Sequence, residues 1–122
     1  MNTKAQQVYA GRPNTEHRDC AVRAFVVLTG KPYAEVHALF KSAGRKDGRG
    51  TRISVMRKVA NSLNLKFVAC NMTVSKFLSD VQYVPAVAAH IRGHAFGVIR
   101  GEIADFEPIK PRQIVKFYWV KQ

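Results

Sequence analysis

The stretch "DCAVRAFVVLTG", residues 19–30, constrains the fold more than any other part of the chain. Asp19 is an N-cap residue type and Gly30 a C-terminal stop, so the spacing predicts a helix over residues 20–29. Ala21, Val22, Ala24, Phe25, Val26, Val27 and Leu28 cover nearly every side of it, with Arg23 the main exception. A helix apolar all round cannot lie on a surface, so the remaining chain must build layers on several sides of it.

Helices come first. Pro32 opens a second helix with Tyr33, Val36, Leu39 and Phe40 at helical spacing and Gly44 closing it. A third, capped by Thr51, turns Ile53, Met56, Val59, Ala60 and Leu63 inward. "KFVACNM" reads as a strand, with Cys70 in the core, and "TVSKFLSDV" as a short helix capped by Thr73. Four strand-like runs follow, "YVPAVAAHI", "HAFGVIR", "EIADFEP" and "QIVKFYWV", divided by Arg92-Gly93, Gly101 and the Pro108–Pro111 segment. The pattern predicts an α+β fold with an antiparallel sheet.

At 122 residues, 47% of them hydrophobic, the chain suits one domain with one core. Residues 1–13 read as a polar lead-in. No apolar run approaches the roughly 18 to 20 residues that cross a bilayer. The opening "MNTKAQQVYAGRPN" lacks the apolar centre of a signal peptide, so the expectation is a cytoplasmic protein whose two cysteines stay reduced. Twenty Lys and Arg against eight Asp and Glu give a net charge of +12, which draws nucleic acid or an acidic protein partner.

The cysteine at the head of the buried helix raises the question of chemistry. A cysteine hydrolase needs a thiolate stabilised by a helix N-terminus and an imidazolium, a group that orients the imidazole, and a donor facing the oxyanion. Cys20 occupies the first turn of the helix. In "RGHAFGVIRGEIADF", His94 opens one strand and Asp105 lies on the next. A two-residue loop, either Arg100-Gly101 or Gly101-Glu102, sets Asp105 against Phe96 or Val98, on the same face as His94 in both cases. In the first register the two side chains are diagonal neighbours.

These residues resemble a known family. Asn14, five intervening residues, then Cys20 directly preceded by an acid and followed by an apolar helix, is similar to the opening of papain-like cysteine peptidases. The likeness is greatest to the compact bacteriocin-processing domains of peptide exporters. It extends through the His94 strand in "GHAFGVI" and the Asp105 context "ADFEP". The resemblance implies a papain-like fold, a Cys20–His94–Asp105 triad, and Asn14 as oxyanion donor in the position of the family's glutamine. The implied reaction is cleavage of a peptide, isopeptide or other amide of a peptide or protein substrate through a thioester, without a cofactor.

A second reading comes from the basic stretch between Lys41 and Lys58. Arg45, Lys46, Arg49 and Arg52 are candidate contacts for an anion or nucleic acid, although the Walker phosphate-loop pattern is absent. On this reading the same scaffold is a binder without chemistry. His17, His37 and His90 stand apart from one another, and no metal-ligand spacing occurs, so no metal is expected. The aromatics of "KFYWVK" suit stacking on bases, but strand alternation sends half of them to the core. Small size and high positive charge fit a bacteriophage protein working in its host's cytoplasm.

Overall fold

The computed structural model describes residues 18–122. Among them are helices α1 (Cys20–Thr29), α2 (Tyr33–Ser42), α3 (Ile53–Ser62) and α4 (Val74–Asp80). The strands are β1 (Leu65–Thr73), β2 (Val87–Ile91), β3 (His94–Ile99), β4 (Glu102–Ala104) and β5 (Ile114–Lys121). The strands form one five-stranded sheet in the order β1-β5-β2-β3-β4, every pairing antiparallel. The architecture is α+β, helices packed on an antiparallel sheet.

Alternation along the strands sorts the core into two layers. Ala88, Ala95, Ala104 and Trp119 pack with α1, α2 and α3 on one face. Val87, Ala89, Ile91, Phe96, Val98 and Val115 pack with Val74 and Phe77 of α4 on the other. The buried helix lies where its composition demands, with all eight residues from Ala21 to Leu28 buried between the sheet and α2. It approaches β3 closely because that strand presents Gly97. A Cβ built there would lie 2.3 Å from the Val27 Cβ. Only a residue without a side chain fits.

The β3–β4 turn fixes the register on which the site depends. Ile99 pairs with Glu102 and Gly97 with Ala104, leaving Arg100-Gly101 as a two-residue loop. Both loop residues have positive φ, 48° and 78°, the backbone that matches a tight hairpin to strand twist. Gly101 is also pressed against α4, where a Cβ would sit 2.9 Å from the Leu78 carbonyl oxygen.

Several boundaries differ from the sequence reading. The third helix takes Arg52, not Thr51, at its N-cap, and Ile53 is exposed, not turned inward. Residue Asp105 lies one position beyond β4, which ends at Ala104. The strand in "YVPAVAAHI" begins only at Val87, after Pro85, which has no N–H to give to a ladder. Cys70 is half-buried at the margin of the α4-side cluster, its thiol donating to the Val115 carbonyl at 3.5 Å. Thr73 caps α4 as expected, its Oγ1 accepting from the Lys76 N–H. No helix among the described residues is long and apolar enough to cross a membrane.

Candidate active site

Cys20, His94 and Asp105 come together. The register opposes Asp105 to Phe96, one side-chain step from His94 on the same face. His94 Nε2 and Asp105 Oδ2 lie 2.6 Å apart. The Asp105 side chain is 1% exposed, so its position is fixed by packing. Cys20 lies within interaction range of His94, and each group shifts the other's ionisation.

The early end of β4 contributes to the sulfur's environment. Gly97 faces β4, and by alternation so does Ala95, but β4 has ended before it could pair there. The Ala95 N–H points instead at Cys20 Sγ, 3.4 Å away. It acts as a fixed donor to sulfur that carries negative charge.

The electrostatics favour an ion pair. Burial raises the Cys20 pKa, but the His94 hydrogen bond, the Ala95 N–H and the positive charges of His94 and Arg23 outweigh it and lower the thiol below its usual 9.0. Burial likewise opposes the charge on His94, yet its hydrogen bonds to Asp105 and Cys20 and their charges raise it from 6.5 to about 10. Both shifts act in the same sense, favouring thiolate beside imidazolium over the neutral pair.

Beneath the triad is a buried charge network that the sequence reading missed. Arg23 is 4% exposed. Its Nε donates to Asp19 Oδ1 at 3.1 Å, and its Nη1 donates to Asp105 Oδ1. Asp19 forms no cap to α1; its Oδ2 accepts from the Tyr33 hydroxyl at 2.7 Å. The i, i+4 spacing of Asp19 and Arg23 was the available signal, since such pairs face each other on a helix. Glu107 completes the surround, with Oε2 3.3 Å from His94 Nδ1 and Oε1 3.6 Å from Arg23 Nη2. It is exposed and forms the solvent side of the site.

The other expectations fall elsewhere. Asn14 and His17 lie outside the described residues. His90 is a core residue, its Nε2 accepting from Trp119 Nε1 at 3.2 Å and its ring stacked on Phe117. Of the C-terminal aromatics Trp119 is buried, while Phe117 and Tyr118 are half-buried. His37 stacks on Tyr33 with Nε2 3.4 Å from Asp47. Arg45 is buried, Lys46, Arg49 and Arg52 are exposed, and all four line one cleft. No cluster of three or more His, Cys, Asp or Glu with metal-binding geometry occurs among the described residues.

Comparison with protein-family models, with curated proteins and with solved structures finds no match.

Proposed function

We propose that the chain is a cysteine hydrolase of amide bonds, a peptidase or isopeptidase, built on a papain-like arrangement. The observation that carries this is the convergence of Cys20, His94 and Asp105: His94 Nε2 lies 2.6 Å from the buried Asp105 carboxylate, His94 and Cys20 shift each other's ionisation, and the sulfur sits at the start of a buried helix. A structural cysteine needs neither an imidazole nor a buried carboxylate behind it.

The chemistry follows from that convergence. The Cys20 thiolate attacks the carbonyl carbon of the scissile amide, and the carbonyl electron pair moves onto oxygen. The Cys20 backbone N–H lies in the first turn of α1 without an intrahelical acceptor, so it serves as one oxyanion donor. The resemblance to the exporter-associated peptidases makes the Asn14 amide the second. As the tetrahedral adduct collapses, His94 gives its proton to the departing amine, leaving an acyl thioester on Cys20. His94, now neutral, removes a proton from water, which attacks the thioester and restores the free thiol. Asp105 holds the tautomer and orientation of His94 throughout.

The test is acylation. An activated ester such as p-nitrophenyl acetate should give a burst of one equivalent, with the acetyl group found on Cys20 by mass spectrometry. Asp105→Ala should slow the burst about 100-fold or more. Acylation of Cys20 no faster than of Cys70 would overturn the assignment.

A further inference from the structure

We propose that a cleft formed by the 43–58 segment binds the phosphate backbone of single-stranded nucleic acid. The cleft, about 690 Å³, is lined by Arg18, Arg45, Lys46, Arg49, Arg52 and Lys58, and no carboxylate lines it among the described residues. This is a function separate from amide hydrolysis and does not depend on it.

Three observations converge on an anion. The first is placement of charge. Asp47, the one acid between Lys41 and Lys58, is turned toward α2, with Oδ1 3.4 Å from His37 Nε2 and Oδ2 3.5 Å from Lys41 Nζ. It does not neutralise the cleft. The second is the start of α3, whose first turn carries no acid and no side-chain cap. Ser54 and Val55 of that turn line the cleft, so the positive end of the helix dipole adds to the six cations. The third is the backbone at Gly44 and Gly50, also in the lining, which allows close approach of phosphate oxygens.

The choice among anions follows from number, shape and lining. The five exposed cations, Arg18, Lys46, Arg49, Arg52 and Lys58, exceed the roughly four negative charges of a nucleoside triphosphate, so full neutralisation requires a longer run of phosphates. The volume is that of a small-molecule site, which suits a single strand better than a duplex. A protein partner would need an apolar anchor. The exposed large hydrophobics Ile53, Tyr83 and Phe106 all lie outside the lining. No aromatic lines the cleft among the described residues, which favours recognition through phosphate, indifferent to sequence.

The test is anisotropy of a fluorescein-labelled 20-nucleotide mixed-sequence DNA strand, titrated with the protein at several salt concentrations. Five phosphate contacts predict a slope of log K against log salt of about −3.5, or about a 130-fold loss of affinity between 50 and 200 mM. The triple variant Lys46→Gln, Arg49→Gln, Arg52→Gln removes three exposed contacts and should bring the slope to about −1.4. Lys110→Gln, Arg112→Gln, Lys116→Gln makes the same charge change elsewhere and should leave the slope at about −3.5. Circular dichroism confirms folding of both variants, and unchanged Cys20 acylation separates this result from the hydrolase test. Equal losses in the two triple variants would overturn the proposal, as would absence of binding at 50 mM salt. So would equal affinity for a duplex, displacement by ATP at matched phosphate, or displacement by polyglutamate at matched charge.

Discussion

At the scale of single residues, the site is an alternation of charge: Asp19, Arg23, Asp105 and His94, each bonded to the next, with Cys20 near enough to His94 for each to shift the other's ionisation. Replacing Arg23 with Met keeps much of the volume but removes the guanidinium bonded to both buried carboxylates. Unfolding in urea should show a loss of about 3–5 kcal/mol, and a loss under about 1 kcal/mol would mean the network adds little. Asp105→Asn retains a polar partner for His94 but removes the negative charge, so the His94 pKa should fall from about 10 toward neutrality, read by NMR titration of its ring protons. Sequence reasoning found Cys20, His94 and Asp105 because each has a local sign: a helix start, a strand start, and parity across a hairpin. Arg23 and Glu107 lack such signs. A charged residue on an apolar helix reads as the solvent face until tertiary partners are known, and Glu107 reaches His94 only through the path of the chain after β4.

Among the elements, the decisive contact is α1 on β3. Cys20 rides on one and His94 on the other, so their spacing is set by how closely helix and strand approach. Gly97→Ala should force the two apart and destabilise the fold by roughly 1–3 kcal/mol or more. Val27→Ala should not rescue it, because the Val27 Cβ itself is the atom 2.3 Å away. Full rescue, measured by urea midpoint and Cys20 acylation rate together, would show that the helix floats on the strand. The β3–β4 register was readable because alternation and a two-residue turn leave few choices, and the Arg100-Gly101 loop is one of the two considered. Helix starts were less readable. Thr51 is a better cap by type than Arg52, but the path of the glycine loop decides where α3 begins.

For the whole molecule, the sequence predicted an α+β chain around a buried helix, and the structure has that form with two core layers either side of the sheet. One buried group should make its stability depend on pH. Burial, assisted by the charge on His94, depresses His90 from 6.5 to about 4. The unfolded chain therefore takes up a proton at His90 that the native protein refuses, and stability falls as pH drops from about 6.5 to about 4. The span corresponds to on the order of 3 kcal/mol, with no further loss from His90 below pH 4. His90→Phe should flatten this part of the urea-midpoint profile even if it lowers stability overall; an unchanged slope would assign the effect to other groups. A lowered thiol and a raised imidazole together define the window in which the ion pair exists. It opens as pH rises through the Cys20 pKa and closes as pH rises through about 10. Iodoacetamide labelling of Cys20 against pH, followed by mass spectrometry in the native protein and in His94→Ala, tests this most directly. The account predicts a labelling midpoint below 9 that rises in His94→Ala, where burial is left to raise the thiol pKa. A labelling midpoint near 9 that His94→Ala does not move would contradict it.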